Sequence, residues 1–335
     1  MLITGSLGER GDLEQGHLPI TGSFGEKRRV ARPHTIERVR QDGDMQDNTV
    51  RIRLDIAYDG TAFSGWATQP GLRTVQGTLE DAIRILYRDL PDTGPLLTVA
   101  GRTDAGVHAL GQVAHLDLPE SIWATTARRL GREHGESAFV RRITGILGND
   151  ADVAVTGCAL APEGFDARFS ALRRSYEYRL ADPTSPANPL ERHRTAQVRR
   201  PLDLDLMNAA AHELIGLHDF AGFCRPRAGA TTVRTLEEFA WHRDERGVFV
   251  AHVQADAFCH SMVRSLVGMC AAVGMGRLPL TNVPELLQLT GRSNDFTVLP
   301  AKGLTLVSVE YPGQDELASR QEQTRAKRPA LRLVE

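Results

Sequence analysis

The sequence predicts an α+β protein made of two ferredoxin-like subdomains with largely antiparallel sheets. Three observations predict it. Strand and helix patterns follow one another as β, α, β, β, α, β between residues 50 and 160, and a second series of similar order follows Pro162. With 335 residues and 41% hydrophobic composition, the chain can also bury a core large enough for two such units. The expected limits are 1–46 for a disordered N-terminal tail, 47–162 and 163–312 for the two subdomains, and 313–335 for a charged C-terminal tail.

Residues 1–45 hold 14 charged side chains and seven glycines against one aromatic, Phe24. That is too little apolar surface to offset the entropy of ordering. From Val50 the pattern sharpens: Val50, Ile52, Leu54, Ile56 and Tyr58 alternate with Arg51, Arg53, Asp55 and Ala57, as in a half-buried strand. Val75, Leu79, Ala82, Ile83, Leu86 and Leu90 then form a stripe at helical spacing behind Thr74, a residue type that caps helix N-termini. Strand-like runs at 96–100 and 112–118 bracket a glycine-bounded loop, residues 121–149 carry mixed signals, and 152–160 reads as a strand. Beyond Pro162 come a strand over 175–180, a loop with Pro183, Pro186 and Pro189, and a helix from about 204 to 215. Strands near 236–241 and 248–255, a helix over 258–273 and a strand over 304–310 complete the series. After Pro312 the charged sequence is expected to fray.

The net charge of −2 shows no global basic excess, but the distribution is uneven. Between Arg168 and Arg200 eight arginines stand against three acids, Glu177, Asp182 and Glu191, and Arg225, Arg227 and Arg234 follow. Such a field attracts phosphates; a compositional bias, 37 Arg to 3 Lys, accounts for it equally well. No apolar run approaches the roughly 20 residues of a membrane span and no secretory block opens the chain, so a cytoplasmic protein is expected. Cys158, Cys224, Cys259 and Cys270 lie far apart without a CxxC pair, which predicts buried free thiols rather than a zinc site or disulfide framework.

The most informative segment is Gly101-Arg102-Thr103-Asp104-Ala105-Gly106-Val107-His108-Ala109, running on to Gly111-Gln112-Val113-Ala114-His115. It sets one carboxylate in a loop where a substrate can approach the backbone closely. Loop chemistry alone favours an Asp that hydrogen-bonds its own turn. The run GRTDAGVHALGQVAHLD, however, resembles the signature of the tRNA pseudouridine synthase A family, whose aspartate attacks the target uridine. Further pieces resemble that family in the same order: Tyr58-Asp59-Gly60, Ser64-Gly65-Trp66, Val75-Gln76, Ala167-Arg168-Phe169-Ser170-Ala171 and Tyr176-Glu177-Tyr178. His218-Asp219-Phe220, Phe258-Cys259-His260-Ser261-Met262-Val263-Arg264, Gly303-Leu304-Thr305-Leu306 and Tyr311-Pro312 follow, so the likeness spans about residues 50–312.

The resemblance implies an isomerase that converts uridine to pseudouridine in the anticodon stem-loop of tRNA, at tRNA positions 38, 39 and 40. It implies a homodimer that needs no metal or other cofactor, with the RNA bound in a catalytic cleft between two RRM-like sheets. Asp104 matches the nucleophile. Tyr176 matches an aromatic that stacks on the uracil and assists proton removal at its carbon 5; the strand pattern alone is served by packing against Tyr178. At about 100° per residue, Arg264 lies at the edge of the stripe formed by Met262, Val263, Leu266, Val267, Cys270 and Val273, beside Ser261 and Gly268. By resemblance it pairs with Asp104, whereas a helix-flank arginine commonly reaches solvent. Arg102 matches a residue that fills the space of the flipped base and contacts RNA. Leu304 is implied to line the uracil pocket, a position that ordinary core packing also explains. Arg168, Arg173 and Arg174 are read with Arg102 as RNA-binding residues. His108, His115 and Asp117 have no further ligand in view to complete a metal site.

Two stretches depart from the family pattern. Where the family has Asn, then Leu-Pro and Asp, this chain reads Ile146-Leu147-Gly148-Asn149-Asp150-Ala151-Asp152, and residues 128–142 are longer than usual. The alternative functions are a non-catalytic tRNA-binding module or chaperone, and a pseudouridine synthase with a different RNA target. A pure binder needs no joint presence of Asp104, Tyr176 and Arg264.

Overall fold

Alternation of apolar and polar residues over Thr49–Tyr58 (β1) buries Ile52, Leu54 and Ile56 completely, each contributing roughly 1.5–3 kcal/mol relative to exposure. This strand lies near one edge of a ten-stranded sheet in a computed structural model that describes residues 48–88, 90, 96–129, 135–227 and 231–325. The remaining strands are Thr98–Val99 (β2), His108–Pro119 (β3), Val153–Leu160 (β4), Arg173–Ala181 (β5), Ala196–Gln197 (β6), Gly216–Asp219 (β7), Val233–Arg243 (β8), Phe249–Ala255 (β9) and Leu304–Glu310 (β10). Their order is β4-β1-β3-β10-β5-β9-β8-β7, with β2 paired to β3 and β6 to β5. The fold is thus mixed α+β with a large, mostly antiparallel sheet.

The sheet runs without a break from the first predicted half to the second. β3 and β10 join in parallel, Thr305 beside His108 and Leu306 beside Ala109. That approach needs Gly111, because a Cβ there would stand 2.2 Å from the Val307 carbonyl oxygen. The junction matters for function: β3 leaves the Asp104 loop and β10 begins at Leu304, so both meet at the middle of the sheet.

Seven helices accompany these strands among the described residues: Val75–Leu86 (α1), Glu120–Arg129 (α2), Gly135–Leu147 (α3), Leu204–His212 (α4), Met262–Gly274 (α5), Val283–Leu286 (α6) and Leu317–Arg325 (α7). Thr74 caps α1 as its sequence position suggested, its side chain accepting from the Gly77 N–H. The mixed signals of 121–149 resolve into α2 and α3. Only Ala138, Phe139 and Ile143 of α3 are buried, a stripe too narrow to stand out as a period. Phe139 is held between Tyr87 and Trp123, with ring centroids 6.3 and 6.1 Å away.

Sequence and structure differ at several elements, and the helix expected over 258–273 begins only at Met262. β7 was not anticipated, since four residues with a half-exposed Leu217 carry no alternation to read. The stretch after Pro312 does not simply fray: Leu317 opens α7, is 2% exposed, and its carbonyl accepts from Ser170 Oγ at 3.4 Å. One apolar anchor on an otherwise polar helix is hidden in the composition. The expected N-terminal tail lies outside the described residues. Among the described residues, no helix is long and apolar enough to cross a membrane.

Candidate active site

The loop carrying Asp104 is held by its backbone at almost every residue. The Ala100 N–H donates to the Val113 carbonyl at 2.8 Å, and fully buried Gln112 donates through Nε2 to the Gly101 carbonyl at 2.8 Å. The Thr103 and Tyr58 hydroxyls share a buried bond of 2.8 Å. Burial pushes the Tyr58 hydroxyl up to about 12, so it remains a protonated partner. Beyond it, the Thr103 carbonyl accepts from Trp66 N–H at 3.1 Å, and Gly106 N–H donates to the Phe63 carbonyl at 3.3 Å. Gly65 lets the Ser64-Gly65-Trp66 segment nest under this loop: its φ is +95°, and a Cβ would meet the Thr103 carbonyl oxygen at 3.0 Å and the Ala105 nitrogen at 3.2 Å.

Across from this loop stands the entrance to α5. The Asp104 carboxylate, about a third exposed, lies 3.3 Å from His260 Nε2 and 3.6 Å from Arg264 Nη1, and Ser261 Oγ donates to it at 3.5 Å. These distances balance its charge without saturating its oxygens, since short charge-assisted bonds lie below about 2.9 Å. Arg264 is itself anchored: Nε donates to the Leu299 carbonyl at 2.8 Å, and Leu299 N–H returns a bond to the Arg264 carbonyl at 3.2 Å. Ser261 has φ +64°, and among the described residues no other non-glycine has a positive φ. That conformation costs about 1–2 kcal/mol in an L-residue, and such outliers cluster where function holds them.

Cys259, two residues before Ser261, is bonded to Cys224, with Cα atoms 5.8 Å apart. This corrects the expectation of four free thiols. The two cysteines are 35 residues apart in sequence, and spacing alone does not show that the turn after Phe223 comes to rest beside α5. Cys158 and Cys270 are free, with burial pushing both thiols up to about 12.

Tyr176 sits on β5 opposite Val253 and Leu306, and its ring meets Phe258 edge-on at 5.1 Å rather than packing on Tyr178. Burial pushes its hydroxyl well above the usual phenol range, with the Arg174 guanidinium opposing the effect and the Asp104 carboxylate adding to it. Leu304 is buried at the start of β10, opposite Tyr178. Arg102 and Arg168 are exposed, the latter over the Phe169 ring at 5.1 Å. Arg173 faces two carboxylates, Glu237 at 3.2 Å and Glu310 at 3.3 Å. Arg174 turns inward, donating to the carbonyls of Asp256, Ala100 and Arg168 at 2.7, 3.0 and 3.1 Å.

His108 and His115 are taken up locally: His108 Nδ1 accepts from the Gly60 N–H at 3.1 Å, and His115 Nδ1 accepts from the Ala167 N–H at 3.0 Å. Asp117 is held by Arg51 at 2.7 Å. Among the described residues, no three His, Cys, Asp or Glu side chains gather as a metal site. The departing segment 146–152 ends on Asp152, whose oxygens bind Arg73 at 2.5 and 2.6 Å. The motif that holds His260 and Ser261 is legible in the sequence, but their closeness to Asp104 depends on tertiary contact.

The tRNA pseudouridine synthase family model matches residues 210–312. The tRNA pseudouridine synthase A of Leifsonia xyli subsp. xyli is 54% identical over 287 residues, covering 85% of this chain and 99% of its own. That of Frankia casuarinae is 54% identical over 284 residues, covering 85% and 97%, and that of Mycobacterium leprae 50% over 274 residues, covering 81% and 93%. A solved chain from a Cbf5-Nop10-Gar1 complex aligns with 69% of this chain at 11% identity and a TM-score of 0.29, too slight a likeness to bear on the fold. With half or more of the residues shared along nearly the whole of each relative, this chain belongs to the tRNA pseudouridine synthase A family of isomerases.

Proposed function

We propose that the chain isomerises uridine to pseudouridine at positions 38, 39 and 40 of the tRNA anticodon stem-loop, with Asp104 as nucleophile, and that it works as a homodimer in the cytoplasm. The observation that carries this reading is the Asp104 carboxylate on a tightly held loop, with Arg264, His260 and Ser261 around it. In the reaction the N1–C1′ bond of the target breaks, the base turns, and a C5–C1′ bond forms. C5 gives up a proton and N1 gains one, so composition and electron count are unchanged. The Asp104 carboxylate can supply the electron pair that opens this sequence, at the ribose or at the base.

Tyr176 suits stacking on the uracil better than proton removal, because burial raises its hydroxyl far from neutrality. Arg102, exposed two residues before Asp104, fills the gap left when the nucleotide leaves its stack. Leu304 lines the base pocket, and Arg168 and Arg173 extend the surface offered to phosphate. We also read residues 47–162 and 163–312 as ferredoxin-like halves. The strand orders β4-β1-β3-β2 and β10-β5-β9-β8 support this, since each is the same permutation of four strands in chain order.

The test is to incubate purified protein with an unmodified tRNA transcript and map pseudouridine by position, alongside Asp104→Asn. Pseudouridine at 38–40, abolished in the variant while tRNA binding survives, is the expected result. Full activity in Asp104→Asn would sink the mechanism, and tRNA binding without product would favour a non-catalytic binder.

A further inference from the structure

Arg174 spends its donors on main-chain carbonyls from three separate segments: Ala100 at 3.0 Å, Asp256 at 2.7 Å and Arg168 at 3.1 Å. Ala100 is the residue from which the Asp104 loop departs, four positions before the nucleophile. Asp256 follows β9 and leads into the segment that carries Phe258, His260, Ser261 and Arg264. Both ends of the bridge are rigid. The Ala100 N–H is tied to Val113 in β3 at 2.8 Å, and the Asp256 N–H to the Thr235 carbonyl of β8 at 3.2 Å. Arg174 also precedes Tyr176 by two on β5 and so shares its face.

A planar guanidinium with five donors in a fixed fork can hold several carbonyls in one geometry; an ammonium on a flexible stem cannot. Desolvation lowers the pKa of the guanidinium of this half-buried residue below the ordinary arginine value. Charge-assisted bonds to the carbonyls offset that cost.

We propose that Arg174 is a positioning residue that sets the separation between Asp104 and the His260–Arg264 wall, and is not a phosphate contact. The inference rests on the isomerase reading. Its test uses the full chain, unmodified tRNA, and the variants Arg174→Lys and Arg174→Met. In both, kcat falls about tenfold or more, because small displacements of reacting groups are costly. The affinity for tRNA and its dependence on salt stay at wild-type values. Arg174→Lys, which keeps the charge but loses the fork, decides the matter even where Arg174→Met fails to fold.

A phosphate contact gives the opposite split. In that case saturating kcat holds, binding weakens, and the slope of log affinity against log salt shrinks by about 0.7–0.9. That result, or an unchanged kcat in Arg174→Lys, overturns the proposal. Wild-type protein that makes no pseudouridine overturns the isomerase reading itself, so the two failures are distinguishable.

Discussion

The Asp104 loop and the entrance to α5 converge on one carboxylate, but they are held by different means. The loop is fixed through its main chain by Val113, Gln112, Trp66 and Phe63 and through the Thr103 hydroxyl by Tyr58, with bonds of 2.8–3.3 Å to the strands and turns beneath it. The α5 entrance is held by the Cys224–Cys259 bond, by Arg264 on Leu299 and by a left-handed serine, and it reaches Asp104 only at 3.3–3.6 Å. Position thus comes from one wall and charge environment from the other. Long contacts of this kind tighten when substrate enters, which leaves the carboxylate free to change partners during the reaction.

Removing the charge tests that division most severely. Arg264→Ala should lower kcat roughly 100-fold, comparable to losing one preorganised electrostatic partner. Its stability cost should be only about 1–2 kcal/mol, mainly the lost bond to Leu299. The ion pair itself is partly exposed, at 21% and 34%, and contributes little. Steady-state kinetics and urea unfolding check both numbers, and a much larger loss of stability would mean that Asp104 is more enclosed than its exposure indicates.

Moving the other wall should matter somewhat less. Gly65→Ala puts a Cβ against the Thr103 carbonyl at 3.0 Å in a backbone conformation that alanine rarely adopts. We expect a loss of more than about 1 kcal/mol in stability and roughly tenfold in kcat, as befits a shift well short of an ångström. An unchanged kcat would show that the loop has slack.

The smallest effect sharpens the contrast by changing sign. Ser261→Gly relieves the strain at φ +64°, so the protein should gain up to about 1 kcal/mol after the added chain entropy of glycine is counted. Activity should fall a few-fold with the loss of the hydroxyl near Asp104. A variant neither more stable nor less active would remove strain from the account of this wall.

Much of the local structure was legible in the residues. The alternation of β1, the Thr74 cap of α1, the limits of β10 and the apolar stripe of α5 all follow from a period that a single segment carries in itself. The nucleophile loop was legible as a motif, and Arg264 at the edge of its stripe pointed to a cleft. The short edge strand β7, the narrow face of α3 and the anchor of α7 left no such trace, because too few residues in each are buried to set a period.

What the sequence by itself determined is therefore the order of the longer periodic elements, the family and the residue types of the site. Tertiary structure alone decided which groups meet. It turned Arg174 from a member of a basic cluster into a bridge between carbonyls, joined Cys224 to Cys259, set Phe258 rather than Tyr178 against Tyr176, and brought His260 and Ser261 to Asp104. The physical reason is that periodicity records which side of a segment avoids water, whereas hydrogen bonds and ion pairs depend on separations of a few ångströms between segments far apart in the chain.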